Sequence, residues 1–145
     1  MYKHILITTD GSELAGKALA AGFDLARQLE AQVTVVTVTE PWTALVVGDA
    51  AFGFPIDEYV KSANETAIRI LSGVSKLARK AGINCATVHD KDHYPSEGIL
   101  ETAANNGCDL IVMASHGRRG LGRLLLGSVA AKVLTHSTVP VLICR

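Results

Sequence analysis

Short apolar runs alternate along the chain with longer segments in which apolar residues return every three or four positions. Residues 3–9 carry Ile5-Leu6-Ile7 and read as a short strand. Residues 13–30 follow as a helix, with Leu14, Ala18, Ala21, Leu25 and Leu29 on one face and Ser12 placed to cap it. Residues 32–39, rich in Val and Thr, suit a strand. Residues 58–81 hold the longest helical pattern: Val60, Ala63, Ala67, Ile70, Val74, Leu77 and Ala81 step by three and four. Gly82 ends it, and Lys76, Arg79 and Lys80 complement the negative end of the helix dipole. A strand at 83–89, a helix at 95–106 stopped by Gly107, a strand at 110–114, a helix at 128–136 and a strand at 139–144 complete the series.

Strands alternating with helices predict an α/β fold, an open five-stranded parallel sheet with helices on both faces. Runs 5–7, 110–113 and 141–143 are apolar without alternation, as expected for strands covered on both sides. In such a sheet, ligands bind beyond the strand C-termini where the strand order reverses. The turns at 8–12, 38–41 and 114–128 all fall on that edge. The long irregular segment 40–57, with Trp42, Phe52 and Phe54 between glycines, reads either as a packed loop or as a lid or partner surface.

Composition changes this picture little, except in the distribution of charge. The 145 residues predict one domain, 1–145, and 48% hydrophobic content excludes a disordered chain. Formal net charge is zero, which gives no general pull toward nucleic acid or acidic membranes. No run is long enough to span a membrane, and the first apolar run is too short for a signal peptide. Cys85, Cys108 and Cys144 lack metal-type spacing and read as reduced thiols of a cytoplasmic protein. The asymmetry is the informative part. Residues 1–109 carry nine basic and fourteen acidic residues, a net of −5, whereas 110–145 carry five basic and no acidic ones. Three of those five, Arg118, Arg119 and Arg123, lie in the glycine-rich turn 113–128 between a strand and a helix.

That turn is built for an anion. Free N–H groups around Gly117 and at Gly127-Ser128-Val129, where a helix begins, are aimed at a ligand, and the helix dipole favours negative charge there. The Ser128 hydroxyl is placed to cap the helix and to meet a phosphate. A solvated glycine loop is the bland alternative. The turn is not a Walker loop, because no lysine precedes Ser128, and no Gly-x-Gly-x-x-Gly follows the first strand, where Asp10-Gly11-Ser12 stands instead. Asp10 ends a buried strand on the binding edge, either to meet a hydroxyl or cation or simply to form the Asx turn that starts the first helix. His116, inside the turn, reads as a phosphate contact or as a loop histidine bonded to backbone. His89, Asp90, Asp92 and His93 are metal-capable types, but their spacing on a loop does not define a site.

The chain resembles the single-domain, ATP-binding universal stress proteins. Their signature is Gly-x-x-Gly, nine residues, then Gly-Ser or Gly-Thr. It is matched by Ala114-Ser-His-Gly117, nine residues, then Gly127-Ser128. The similarity extends to the start, Ile5 to Ser12, to 33–38 and 109–117, and to the ending Thr138-Val-Pro-Val-Leu-Ile. Two positions depart from the pattern: Ala114 stands at the first signature glycine, and His93-Tyr94-Pro95 stands where many relatives show Gly-x-Pro. Alanine fits at 114 if its φ is negative, and a bulky His93 is expected to change access to the ligand.

The resemblance implies an adenine-nucleotide alpha-hydrolase-like, Rossmann-like three-layer sandwich and a cytoplasmic, dimeric regulatory module of the stress response. Thr8, Thr9 and Asp10 would lie at the adenosine, Val38 would line the adenine pocket, and Met113 and Ala114 would close it. His116, Gly117, Arg118, Gly127, Ser128 and Val129 would hold the phosphates of ATP, or of ADP or AMP. Mg²⁺ would be held mainly by phosphate oxygens, with Asp10 as a protein ligand. Homodimers would form through strand 139–144, and a regulatory protein would be a further partner. Without a lysine on the phosphates or a placed base, efficient phosphoryl transfer lacks its usual parts, so binding outranks catalysis and any hydrolysis or autophosphorylation would be slow. The alternatives are a nucleotide-independent scaffold meeting partners through 40–57 or the last strand, and a genuine slow ATPase in which His116 or Asp10 activates water.

Overall fold

The computed structural model describes residues 1–44, 53, 55–117 and 125–145. Its elements run β1 (His4–Thr8), α1 (Glu13–Leu29), β2 (Gln32–Val38), a 3₁₀ turn (Trp42–Ala44), α2 (Ile56–Ala81), β3 (Cys85–Asp90), α3 (Pro95–Asn105), β4 (Leu110–Ala114), α4 (Ser128–His136) and β5 (Val141–Cys144). The five strands form one parallel sheet in the order β3-β2-β1-β4-β5. The chain winds outward from β1 to β3, then crosses over to β4 and β5, so the order reverses between β1 and β4.

Two cores flank the sheet, as the apolar strands require. Ile5, Ile7, Val33, Val35 and Val112 pack on one face against Leu19, Phe23 and Ala26 of α1 and Val74 and Ala78 of α2. Leu6, Val36, Ile111 and Met113 pack on the other against Ile99 and Ala103 of α3 and Ala130 and Val133 of α4. Ile5, Leu6, Ile7, Ile111 and Val112 are wholly buried. Each such side chain contributes about 1.5–3 kcal/mol of burial energy, so the strands that border the reversal are firmly anchored in the sheet.

The helices turn slightly from their expected faces. Ala15, Ala18, Leu19, Gly22, Phe23 and Ala26 are the buried residues of α1, and Ala21 is exposed. The helix is rotated so that the large Phe23 ring meets the sheet. In α2, Ala67, Val74 and Ala78 are buried while Val60 and Leu77 are exposed. Strand ends are also shorter than their apolar runs. The Ile83 N–H bonds to the Ala78 carbonyl and closes the C-terminal turn of α2, so β3 begins two residues later. Ser137 Oγ bonds to both the carbonyl and the N–H of Val139, which places Val139 in a turn before Pro140 and starts β5 at Val141. Run 141–143 is not covered on both sides: β5 is an edge strand, with Leu142 exposed.

Polar contacts lock the ends of the sheet away from the reversal point. The Asp109 carboxylate accepts the N–H groups of Lys3 and His4 at 2.8 and 3.0 Å. Burial alone would raise its pKa, but these donors outweigh burial and hold it below the usual carboxylate range. His4 Nε2 lies 2.8 Å from the Thr34 hydroxyl, and His136 Nδ1 lies 2.9 Å from the Lys132 carbonyl. Trp42 is half-buried, while Phe52 and Phe54 lie outside the described residues, as does half of the segment 40–57 read as a packed loop or as a lid or partner surface. No helix among the described residues is long and apolar enough to cross a membrane.

Candidate functional site

A cavity of about 570 Å³ opens over the C-terminal ends of β1, β2 and β4, at the reversal of strand order. Its floor and walls include Thr8, Thr9, Asp10, Val38, Met113, Ala114, His116, Gly117, Gly127, Ser128 and Val129. Eleven of the twelve candidate residues thus meet in one place, and the twelfth, Arg118, lies outside the described residues, as do Arg119 and Arg123.

The first half of the site comes from the exit of β1. The Thr9 N–H bonds to the Val36 carbonyl at 3.0 Å, extending the ladder one residue past the strand. The chain then turns: Gly11 N–H donates to Thr9 Oγ1 at 3.1 Å and Ser12 N–H to Asp10 Oδ1 at 2.9 Å. Ser12 Oγ accepts the Ala15 N–H and caps α1. The Asx turn expected as one reading of Asp10 is therefore present, and the same carboxylate also borders the cavity.

The second half comes from the exit of β4. The Ser115 N–H bonds to the Cys144 carbonyl at 2.8 Å, and Ser115 Oγ lies 3.0 Å from His116 Nδ1. The Gly127 N–H returns to the Ser115 carbonyl at 2.7 Å, so the two ends of the glycine turn are tied together. Both glycines are needed for close approach. A Cβ at Gly117 would collide with the Asp10 carboxylate, and one at Gly127 would sit 2.9 Å from the Ser115 carbonyl oxygen and 3.0 Å from His116 Cα. The two halves of the site are therefore in contact, through Gly117 and Asp10.

Gly127, not Ser128, is the N-cap of α4, and no side-chain hydrogen bond caps that end. Ser128 is the first helical residue because the Gly127 carbonyl accepts the Ala131 N–H at 2.9 Å, the first bond of the helix. The N–H groups of Ser128, Val129 and Ala130 precede any intrahelical donor and form the positive end of the helix dipole beside the cavity.

The two departures from the signature both prove compatible with an open cavity. Ala114 ends β4 in register with Cys144 at negative φ, where alanine fits without strain. His93 turns aside: its Nδ1 lies 2.9 Å from Asp90 Oδ2 and its Nε2 lies 3.7 Å from Glu101 Oε2. The hydrogen bond to Asp90 raises the His93 pKa. From this segment Pro95 and Ile99 reach the cavity instead. His89, whose Nε2 lies 2.7 Å from Thr39 Oγ1, has its pKa lowered by burial. Among the described residues no three His, Cys, Asp or Glu side chains group as a metal site. Burial pushes the thiols of Cys85 and Cys108 up to about 11, and that of Cys144 upward as well, so all three lack thiolate character.

One wall was missed in the sequence. Tyr59, Ser62, Ala63, Thr66, Ala67 and Ile70 of α2 line the cavity. The stepping of Ala63, Ala67 and Ile70 marks a helix in the sequence, but it does not say that this face borders a cavity. Tyr59 closes the wall by donating its hydroxyl to the Glu40 carbonyl at 2.6 Å. Gly98 was also missed: a Cβ there would press on Val38 and on Asp90, at 3.0 and 3.1 Å, so α3 braces the end of β2.

The sequence profile of the Universal stress protein family matches residues 1–145. The Bacillus subtilis universal stress protein YxiE is 33% identical over 152 residues, which cover all of both chains. The solved structure of the hypothetical protein MJ0577 superposes with a TM-score of 0.84 at 28% identity, covering 99% of this chain and 96% of that one. A universal stress protein described in complex with cAMP superposes with a TM-score of 0.74 at 25% identity, covering 99% and 97%. With the match running from the first strand to the last, the chain belongs to the universal stress protein family.

Proposed function

We propose that the chain binds an adenine nucleotide in the cavity between β1 and β4, ATP with Mg²⁺ in the first place, and acts as a nucleotide-dependent regulatory module of the cytoplasmic stress response. The observation that carries the reading is the contact between the two halves of the cavity. Gly117 leaves room for no side chain beside Asp10, Gly127 leaves none beside Ser115 and His116, and the free N–H groups of α4 begin at the same point. Backbone held this closely around a helix N-terminus is what a phosphate group requires. The complex of a family member with cAMP supports an adenine nucleotide as the ligand class.

In this reading Thr8, Thr9 and Asp10 meet the ribose, Val38 and Met113 enclose the base beside Ala114, and His116, Gly117, Arg118, Gly127, Ser128 and Val129 surround the phosphates. A divalent cation would neutralise phosphate charge. Asp10 Oδ1 is already engaged by the Ser12 N–H, so phosphate oxygens rather than Asp10 would supply most of its ligands. Binding is favoured over catalysis because no lysine precedes Ser128 to meet the phosphates, a usual part of phosphoryl transfer. Two copies would pair through β5.

Mg-ATP is expected to raise the melting temperature of the purified protein, because a ligand that binds only the native state stabilises it by RT ln(1 + [L]/Kd). At a ligand concentration 100 times Kd that is about 2.7 kcal/mol, a shift of several degrees. No shift at millimolar Mg-ATP would remove the reading.

A further inference from the structure

The α2 wall carries a hydroxyl that the fold does not use. Three threonines lie in the α-helices, Thr66, Thr102 and Thr135. Thr102 and Thr135 close their hydroxyls on the carbonyls four residues back, Gly98 and Ala131, at 2.7 and 2.8 Å. That is the ordinary fate of a threonine inside a helix, whose own backbone offers the nearest acceptor. Thr66 does not follow it. It is half-buried, lines the cavity and makes no hydrogen bond among the described residues. Among the described residues no buried side-chain oxygen or nitrogen lacks a partner, so the Thr66 hydroxyl is open to the cavity and not sealed in the core. Ser62, one helical turn away, lines the same wall.

The position of the wall says which part of a ligand it meets. α2 packs against β2 and β3, whereas the glycine turn leaves β4, on the far side of β1. Neighbouring strands lie about 4.8 Å apart, so β2 and β4 are separated by roughly 10 Å. Phosphates and base occupy opposite ends of a nucleotide. With the phosphates at the exit of β4, the base extends toward β2 and α2.

We propose that Thr66 is a specificity-determining residue whose hydroxyl hydrogen-bonds the polar edge of the bound nucleobase, with Ser62 beside it on the same wall. This rests on the reading of the cavity as a nucleotide site. A hydroxyl both donates and accepts, so it serves the exocyclic amine or a ring nitrogen of adenine. The surrounding Ala63, Ala67 and Ile70 offer only apolar contact, which leaves the hydroxyls as this wall's means of reading base polarity.

The test is calorimetric titration of Mg-ATP into the wild type, Thr66→Val and Thr66→Ser. Valine keeps the shape and removes the hydroxyl, and serine keeps the hydroxyl. One neutral hydrogen bond corresponds to about a 3- to 10-fold change in Kd. Thr66→Val is expected to bind that much more weakly, Thr66→Ser to bind within about 2-fold of wild type, and both to keep the wild-type melting temperature without ligand. Wild-type affinity in Thr66→Val would overturn the inference and leave the nucleotide reading standing. Equal weakening in both variants would also overturn it, since the methyl group and not the hydroxyl would then matter. A wild type that binds no Mg-ATP would remove both the reading and the inference.

Discussion

Gly127→Val is expected to abolish the thermal shift produced by Mg-ATP. The first side-chain carbon would sit 2.9 Å from the Ser115 carbonyl oxygen and 3.0 Å from His116 Cα and Cβ. Two of these three atoms are backbone, so the collision cannot be relieved by a rotamer. The Gly127 N–H must also give up its 2.7 Å bond to Ser115. The start of α4 then moves away from the end of β4, and the N–H groups of Ser128 and Val129 no longer converge with Gly117. Hydrogen bonds to a charged group are worth about 1.5–3 kcal/mol each. Losing two costs roughly 3–6 kcal/mol, or about 10²- to 10⁴-fold in affinity. The variant protein itself is expected to lose about 1–3 kcal/mol of stability from the overpacking and to remain folded. Because the clash begins at Cβ, Gly127→Ala is expected to shift binding in the same direction. Melting curves with and without Mg-ATP check this, and a full wild-type shift in Gly127→Val would mean that the phosphates are held elsewhere.

Leu142→Arg is expected to convert a dimer into a folded monomer. Among the described residues the edge strand β5 pairs with β4 alone and offers its other side, with Leu142 42% exposed and the partly buried Val141 and Ile143 beside it. An unprotected parallel edge invites pairing with another strand, and a two-fold axis brings the same patch of both copies together. A leucine buried in each copy contributes about 1.5–3 kcal/mol, so two contribute roughly 3–6 kcal/mol, and an arginine there adds like charges across the axis. Dissociation by about 10²- to 10⁴-fold is expected. Sedimentation velocity at micromolar concentration distinguishes the outcomes. A monomeric wild type, or a variant as dimeric as the wild type, would refute pairing through β5. Circular dichroism should be unchanged, since Leu142 supports little of the protomer core.

The fold was legible because its two signals are local. Uninterrupted Ile-Leu-Ile and Leu-Ile-Val-Met runs mark strands buried on both faces, and the three-and-four stepping of 58–81 marks a helix whatever it packs against. Strand order was not legible, because pairing joins residues far apart in sequence, such as Ile7 with Val112. Nor was the edge position of β5, whose Val-Leu-Ile run looks like that of an inner strand but has one neighbour. Run ends misled where backbone groups were already committed, as with Ile83 in the last turn of α2.

The candidate site was legible to the extent that glycines and polar residues cluster in short segments: Thr8 to Asp10, Ala114 to Gly117, and Gly127 to Val129. The cap of α4 is not legible in the sequence, because cap identity depends on where the first intrahelical bond forms, and the Ala131 N–H bonds to the Gly127 carbonyl, one residue before the Ser128 hydroxyl. The α2 wall was invisible for a different reason. Ala63, Ala67 and Ile70 follow the same spacing whether a helix covers a sheet or a cavity above it. Only the placement of α2 across β2 and β3 distinguishes the two. His93 shows the converse, a residue whose bulk suggested obstruction and whose hydrogen bond to Asp90 holds it aside.

Titration of isotopically labelled protein with Mg-ATP, followed through its backbone amide resonances, tests the central claim most directly. Saturable shifts are expected to cluster at Thr9, Asp10, Val38, Gly117 and Gly127 to Ala130, with distant sites such as Asp109 at the opposite end of the sheet unmoved. Spectra that stay unchanged at millimolar Mg-ATP, or shifts that gather away from the ends of β1 and β4, would contradict the account.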